Sequence, residues 1–153
     1  MPSSSNVSDL AVHLGYWLRY VSNHVSQAFA RKVEARGVTV AEWVLMRQLL
    51  ENKAVAPSRL AERMGMTRGA ISKLADRLIA KSILVRAADP EDRRAQLLSL
   101  TSAGRALVPE LAALADANDA EFFDHLAPDD RAALLRTLQE IVEKRSLKYV
   151  PTN

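Results

Sequence analysis

The chain has 153 residues, 48% hydrophobic and 25% charged, with a formal net charge of +3. This is enough for one domain with a real core, too little for two independent ones, and balanced like a soluble globular protein. No apolar run is long enough to span a membrane, and the absence of cysteine excludes disulfides, thiolate zinc sites and thiol-based peroxide sensing.

The opening Met1-Pro2-Ser3-Ser4-Ser5-Asn6 lacks a basic region followed by an apolar stretch. It therefore reads as a disordered lead-in over 1–7 rather than a secretory signal, and a cytoplasmic protein is expected. Residues 8–35 read as one long helix with Leu10, Leu14, Leu18, Val21, Val25 and Ala28 or Phe29 along one side. At 1.5 Å per residue it would extend about 40 Å, too long for one small lobe to cover. Gly37 breaks it, and Thr39-x-x-Glu42 reads as a capping box that opens a helix to about Leu50.

The stretch from Pro57 to Thr101 carries the most specific pattern. Pro57–Met64 reads as a short helix with an apolar stripe of Leu60, Ala61 and Met64. Gly65 suits a left-handed helix end, and Thr67 suits the cap of a second helix over Arg68–Lys81. In that helix Ile71, Leu74, Ala75, Leu78 and Ile79 repeat at helical spacing, leaving Ser72, Lys73, Asp76 and Arg77 on the other side. Arg68 and Gly69 sit at its start, where free N–H groups favour a phosphate. Ile83–Ala87 and Gln96–Leu100 are strand candidates joined by a charged loop that ends in Asp92-Arg93-Arg94. An arginine at such a tip suits a narrow minor groove, and Asp92 is placed to orient one guanidinium.

Thr101 reads as the cap of a long helix from Ser102 to Asn118 or beyond, with Pro109 predicting a kink or local break. Pro128 opens a last helix with a stripe of Leu134, Leu135, Leu138, Ile141 and Val142. The apolar sides of the two end helices point to a two-fold interface between copies. The expected organisation is a lobe over 37–104, a helical dimerisation region over 8–36 and 105–147, and a tail over 148–153.

Charge is unevenly spread. Residues 59–94 hold nine Lys and Arg against five Asp and Glu, whereas Glu110–Asp130 holds seven carboxylates and no Lys or Arg. A basic face on an acidic body suits approach to DNA in one orientation.

Leu60-Ala61-Glu62-Arg63-Met64-Gly65, Thr67-Arg68-Gly69-Ala70-Ile71-Ser72 and the run from Asp92-Arg93-Arg94 to Leu98-Ser99-Leu100-Thr101-Ser102-Ala103-Gly104 together resemble the MarR family of winged-helix transcriptional regulators. Thr39–Leu45 looks like that family's second helix, and the resemblance covers roughly residues 8–147. It implies a mainly α fold with a small β-hairpin wing, in which a homodimer binds double-stranded DNA at a palindromic operator, usually as a repressor released by a small ligand. It implies major-groove contacts from Thr67, Arg68, Ser72, Lys73 and Arg77, and a wing-tip arginine at Arg94. Gly69 and Arg93 complete the expected surface. The alternative is a winged-helix protein-interaction or architectural DNA-binding module without a ligand.

A ligand pocket is expected where His13, Trp17, Tyr20 and His24, recurring at spacings of 4, 3 and 4, approach Trp43, Met46 and Arg47. Rings for stacking and Arg47 or a histidine for a carboxylate suit a small aromatic acid. The plainer account is that these aromatics fill core. No metal or cofactor is expected: His13 and His24 lie about 16 Å apart on a helix, too far to share one ion. His125 with Glu121 and Asp124 reads as a solvated acidic turn. The chain has no P-loop, no GxGxxG after a strand, no HExxH and no cysteine nucleophile, so no enzyme is expected.

Overall fold

The computed structural model describes residues 6–51 and 53–152. The expected lead-in over 1–7 lies mostly outside the described residues. A short 3-10 turn, Leu10–Val12, precedes six helices and one hairpin: α1 (Leu14–Glu34), α2 (Val40–Leu49), α3 (Pro57–Met64), α4 (Arg68–Ala80), β1 (Leu84–Ala88), β2 (Gln96–Leu100), α5 (Ser102–Phe123) and α6 (Pro128–Lys144).

Three threonines set three helix starts. Thr39 Oγ1 accepts from Glu42 N, Thr67 Oγ1 from Ala70 N, and Thr101 Oγ1 from Gly104 N. Gly65 ends α3 with φ 62° and ψ 34°, the left-handed region where glycine has no Cβ to clash. Ser82 ends α4 in the same region with φ 62°.

The core lies between α2, α3, α4, the hairpin and the first half of α5. Leu45, Met46, Leu49, Leu60, Ile71, Leu78, Leu98 and Leu111 are fully buried in it. β1 and β2 pair antiparallel with Leu84 opposite Leu100 and Ala88 opposite Gln96. Val55, in the α2–α3 connection, exchanges two backbone hydrogen bonds of 2.9 Å with Leu98 and so lies beside β2. This fixes the start of α3 against the hairpin.

α1 is joined to α5 by polar contacts. Asn118, almost wholly buried, donates to Val25 O at 3.1 Å and accepts from Lys32 Nζ at 2.9 Å. Lys32 also pairs with Glu121, and Arg36 with Glu110.

Several sequence expectations are corrected. The first helix starts at Leu14, because His13 is extended (φ −91°, ψ 122°) and the 3-10 turn precedes it. His13 therefore does not share a helical face with Trp17, Tyr20 and His24. The capping box at Thr39 is half formed, since the Glu42 carboxylate turns inward to Lys81. β1 is displaced by one residue, because Ile83 N closes the α4 turn on Leu78 O. Pro109 neither breaks nor ends α5. It and Arg105 lie on the exposed side, where water can serve the Arg105 carbonyl that lacks an N–H partner.

Two apolar faces are left uncovered by the chain itself. Leu14, Leu18 and Val21 on α1, and Leu134, Leu135, Leu138, Ile141 and Val142 on α6, are all exposed, and α6 has no buried residue.

Candidate nucleic-acid interface

α4 turns its apolar side inward: Ile71, Leu74, Ala75 and Leu78 are buried. A helical period then forces the remaining positions outward. Thr67, Arg68, Gly69, Ser72, Lys73 and Arg77 are all exposed, as are Asp92, Arg93 and Arg94 on the hairpin loop. The structure thus places all nine residues singled out in the sequence on the surface of the helix-turn-helix and hairpin.

Their lack of ion pairs separates them from Lys81 and Arg86 nearby. Lys81 and Arg86 are committed, Lys81 to Glu42 at 2.8 Å and Arg86 to Asp76 at 2.7 Å. Among the described residues, Arg68, Lys73, Arg77, Arg93 and Arg94 have no ion pair. Arg59 and Arg63 of α3 have none either. Unpaired cations on one face leave their field available to an external anion. The Arg86–Asp76 pair links β1 to α4 and so helps hold α4 at a fixed angle to the hairpin.

The hairpin loop is shaped by its own aspartates. Asp89 Oδ1 accepts from Glu91 N at 2.9 Å, and Asp92 Oδ1 accepts from Arg94 N at 3.0 Å. Such side-chain-to-backbone turns are a regular use of aspartate in loops. Asp92 therefore orients the wing through the backbone of Arg94, which corrects the expectation of a pair with a guanidinium. A depression of about 540 Å³ lies between the start of α3 and the hairpin, and Ser58, Arg68, Asp92 and Arg94 are among its walls. Arg68 and Arg94, far apart in sequence, thus face one space.

The seven residues expected around a ligand are not gathered in one place. Met46 is fully buried in the core. Arg47 pairs with Glu51 at 3.5 Å. Trp17 and Tyr20 lie on the uncovered part of α1, with Trp17 Nε1 donating to Ala11 O at 2.8 Å. His13 is the exposed cap residue before α1. His24 is exposed as well, stacked on Tyr20, and Trp43 alone of the seven lines a cavity, of about 300 Å³, between α1, α2 and α5. Its other walls include Phe29, Val44, Ser26, Asn118, Asp119 and Pro151; among the described residues no Lys, Arg or His lines it, though Lys32 bonds to Asn118 and Arg131 to Asp119. Phe29 was visible in the α1 stripe. Asn118 and Asp119 gave no local signal, because only the packing of α5 on α1 brings them to Trp43. Among the described residues, no three His, Asp or Glu side chains form a metal-ligand group.

A helix, a left-handed turn, a capped second helix with an unpaired cationic face and a charged hairpin define a winged helix-turn-helix protein. A family model described as MarR family matches residues 36–95. The HTH-type transcriptional repressor MdtR of Bacillus subtilis is 28% identical over 137 residues, 86% of this chain and 88% of that protein. Two solved structures align over nearly the whole chain. CouR of Rhodococcus jostii RHA1, bound to p-coumaroyl-CoA, is 27% identical with a TM-score of 0.74, covering 88% of this chain and 95% of that one. BpsR of Bordetella bronchiseptica, whose DNA binding is regulated by 6-hydroxynicotinic acid, is 25% identical with a TM-score of 0.76, covering 89% and 97%. The chain is thus similar to the MarR family of transcriptional regulators, in its residues 36–95 by the family model and in its fold by the solved structures.

Proposed function

We propose that the protein is a homodimeric cytoplasmic repressor, without enzymatic activity, that binds a palindromic operator and is released by a small aromatic ligand. The observation that carries the DNA reading is the exposed set Arg68, Lys73, Arg77 and Arg94, unpaired among the described residues while Lys81 and Arg86 are bound to carboxylates. In this reading residues 37–104 form the DNA-binding lobe. Thr67, Arg68, Gly69, Ser72, Lys73 and Arg77 enter a major groove, and Arg93 and Arg94 reach the adjacent minor groove. Residues 8–36 and 105–147 hold two copies together through the uncovered faces of α1 and α6. That arrangement sets two recognition helices about 34 Å apart, one turn of DNA, and makes the operator palindromic.

The cavity beside Trp43 suits the ligand. It lies where α2, the first helix of the lobe, meets α1 and α5, so an occupant there alters the angle between lobe and dimer helices. A ligand that prefers one angle shifts the population of DNA-competent dimers. The aromatic ligands of BpsR and CouR support this reading. The walls favour a ring with hydrogen-bond donors over the carboxylic acid expected from Arg47.

The test is binding to duplexes selected from a random pool by the wild-type protein. Arg77→Ala and Arg94→Ala should each weaken binding by about 1–3 kcal/mol, and affinity should fall as salt rises. Wild-type affinity in both variants would sink the assigned surface.

A further inference from the structure

The tail beyond α6 does not trail away from the molecule. Ser146 adopts φ 51°, and Leu147 N donates to Val142 O at 3.0 Å, a helix-ending turn that sends the chain back. Tyr149 then lies directly on Gly65, the turn between α3 and α4. A Cβ added to Gly65 would sit 2.6 Å from both Cγ and Cδ1 of the ring. Only the bare glycine surface admits the ring there, quite apart from the left-handed backbone.

This contact places Lys148 beside the recognition unit. Lys148 and Tyr149 line a broad depression of about 1280 Å³ together with Arg59, Arg63, Thr67 and Arg68. Glu62 is the one carboxylate on its walls. The depression shares Ser58 and Arg68 with the smaller one that Arg94 bounds. A continuous trough thus runs from the wing, over the start of α4, to the tail, with arginines along it and a lysine at its far wall. Among the described residues Lys148 has no ion pair. Tyr149 as a residue remains 70% exposed, so the tail walls the trough without filling it.

We infer that the C-terminal tail is part of the DNA-binding surface, with Tyr149 seated on Gly65 and Lys148 contacting a backbone phosphate beyond the recognition helix. The inference rests on the reading surface proposed above. A lysine ammonium is a point charge on a long stem and neutralises phosphate without reading bases. Its contribution is therefore the same on every sequence.

The experiment measures binding of the full chain to a selected duplex and to an unselected duplex of equal length, across a salt series. Lys148→Ala should lose roughly 3- to 10-fold on both duplexes, and its log–log salt slope should be shallower by about one. Lys148→Arg should retain both affinity and slope. Tyr149→Ala should reproduce part of the Lys148→Ala loss, with dimer content unchanged by sedimentation. Arg68→Ala is the control. If it weakens binding while Lys148→Ala matches wild type in affinity and slope, the tail inference is overturned and the reading surface stands. If deletion of residues 147–153 tightens binding, the tail is a shield and the inference is likewise overturned. If Arg68→Ala, Arg77→Ala and Arg94→Ala are all without effect, the reading surface itself fails.

Discussion

Lys81, in the cap of α4, places its ammonium 2.8 Å from the carboxylate of Glu42, which is 1% exposed at the start of α2. The same ammonium donates to Gly37 O at 2.7 Å. One side chain therefore ties the end of α4 to the connection that leads out of α1. The Lys81 side chain is 40% exposed, so water screens its half of the pair. Lys81→Met leaves a buried carboxylate without its counter-charge and should cost about 2 kcal/mol, between the values for exposed and buried pairs. The double variant Glu42→Gln/Lys81→Met should recover part of that loss. Urea denaturation of the two single variants and the double variant measures the coupling, and simple additivity would show that the pair does not act as a unit.

Gly104, in the first turn of α5, faces the backbone of Ile83. A Cβ there would lie 2.3 Å from the Ile83 carbonyl oxygen and 3.1 Å from Leu100 Cδ2. Alanine is the better helix former by about 1 kcal/mol, but here α5 would have to move off the hairpin. Gly104→Ala should therefore be destabilising by about 1–3 kcal/mol despite its propensity, as overpacked cores are. Thermal melting decides the sign, and a raised melting temperature would show that the close approach is relaxed in solution.

The uncovered face of α6 predicts self-association. Leu138→Glu or Val142→Glu places charge on a surface that is already exposed within one chain, so the lobe should stay folded with an unchanged circular dichroism spectrum. If α6 is buried between copies, the variants should sediment as monomers and bind a palindromic duplex at least tenfold more weakly than wild type, since joint engagement of both half-sites is lost. A wild type that is itself monomeric at micromolar concentration would remove the basis of the two-fold reading.

Trp43 lines the cavity, whereas Trp17 lies half exposed on α1. In Trp17→Phe, Trp43 is the sole tryptophan and reports on that cavity. An aromatic ligand seated there should quench or shift its emission. With Asp119 and no cation on the walls, salicylamide should bind at least as tightly as salicylate. Tighter binding of the acid would mean that a cation behind the walls, Lys32 on Asn118 or Arg131 on Asp119, reaches the ligand.

Much of the winged lobe is legible in the sequence because its signals are local. Thr67, Thr101 and Thr39 cap helices within three residues of themselves, and Gly65 marks its own turn. The spacing of Ile71, Leu74, Ala75 and Leu78 decides which side of α4 is buried and hence which side carries Arg68, Lys73 and Arg77. β2 lies where its alternating leucines place it. The reading of His13 failed because a spacing of four residues means a shared face only within a helix, and the helix begins after it.

What tertiary structure decided are the relationships between distant segments. Helical periodicity marks Met46 as apolar but cannot say whether core or cavity receives it; packing of α2 against α3 and α4 sends it to the core. The capping-box spacing permits Glu42 to reach back to its own turn, yet Lys81, from the far end of α4, offers a full charge to the buried carboxylate and takes it instead. Asn118 and Asp119 meet Trp43, and Tyr149 meets Gly65, only through the paths of α5 and of the tail. Capping, turns and periodicity are energies of neighbouring residues, and the sequence by itself determined those. Which buried charge finds which partner, and which surfaces share a cavity or a trough, depends on chain closure over tens of residues, and only the folded molecule decided it.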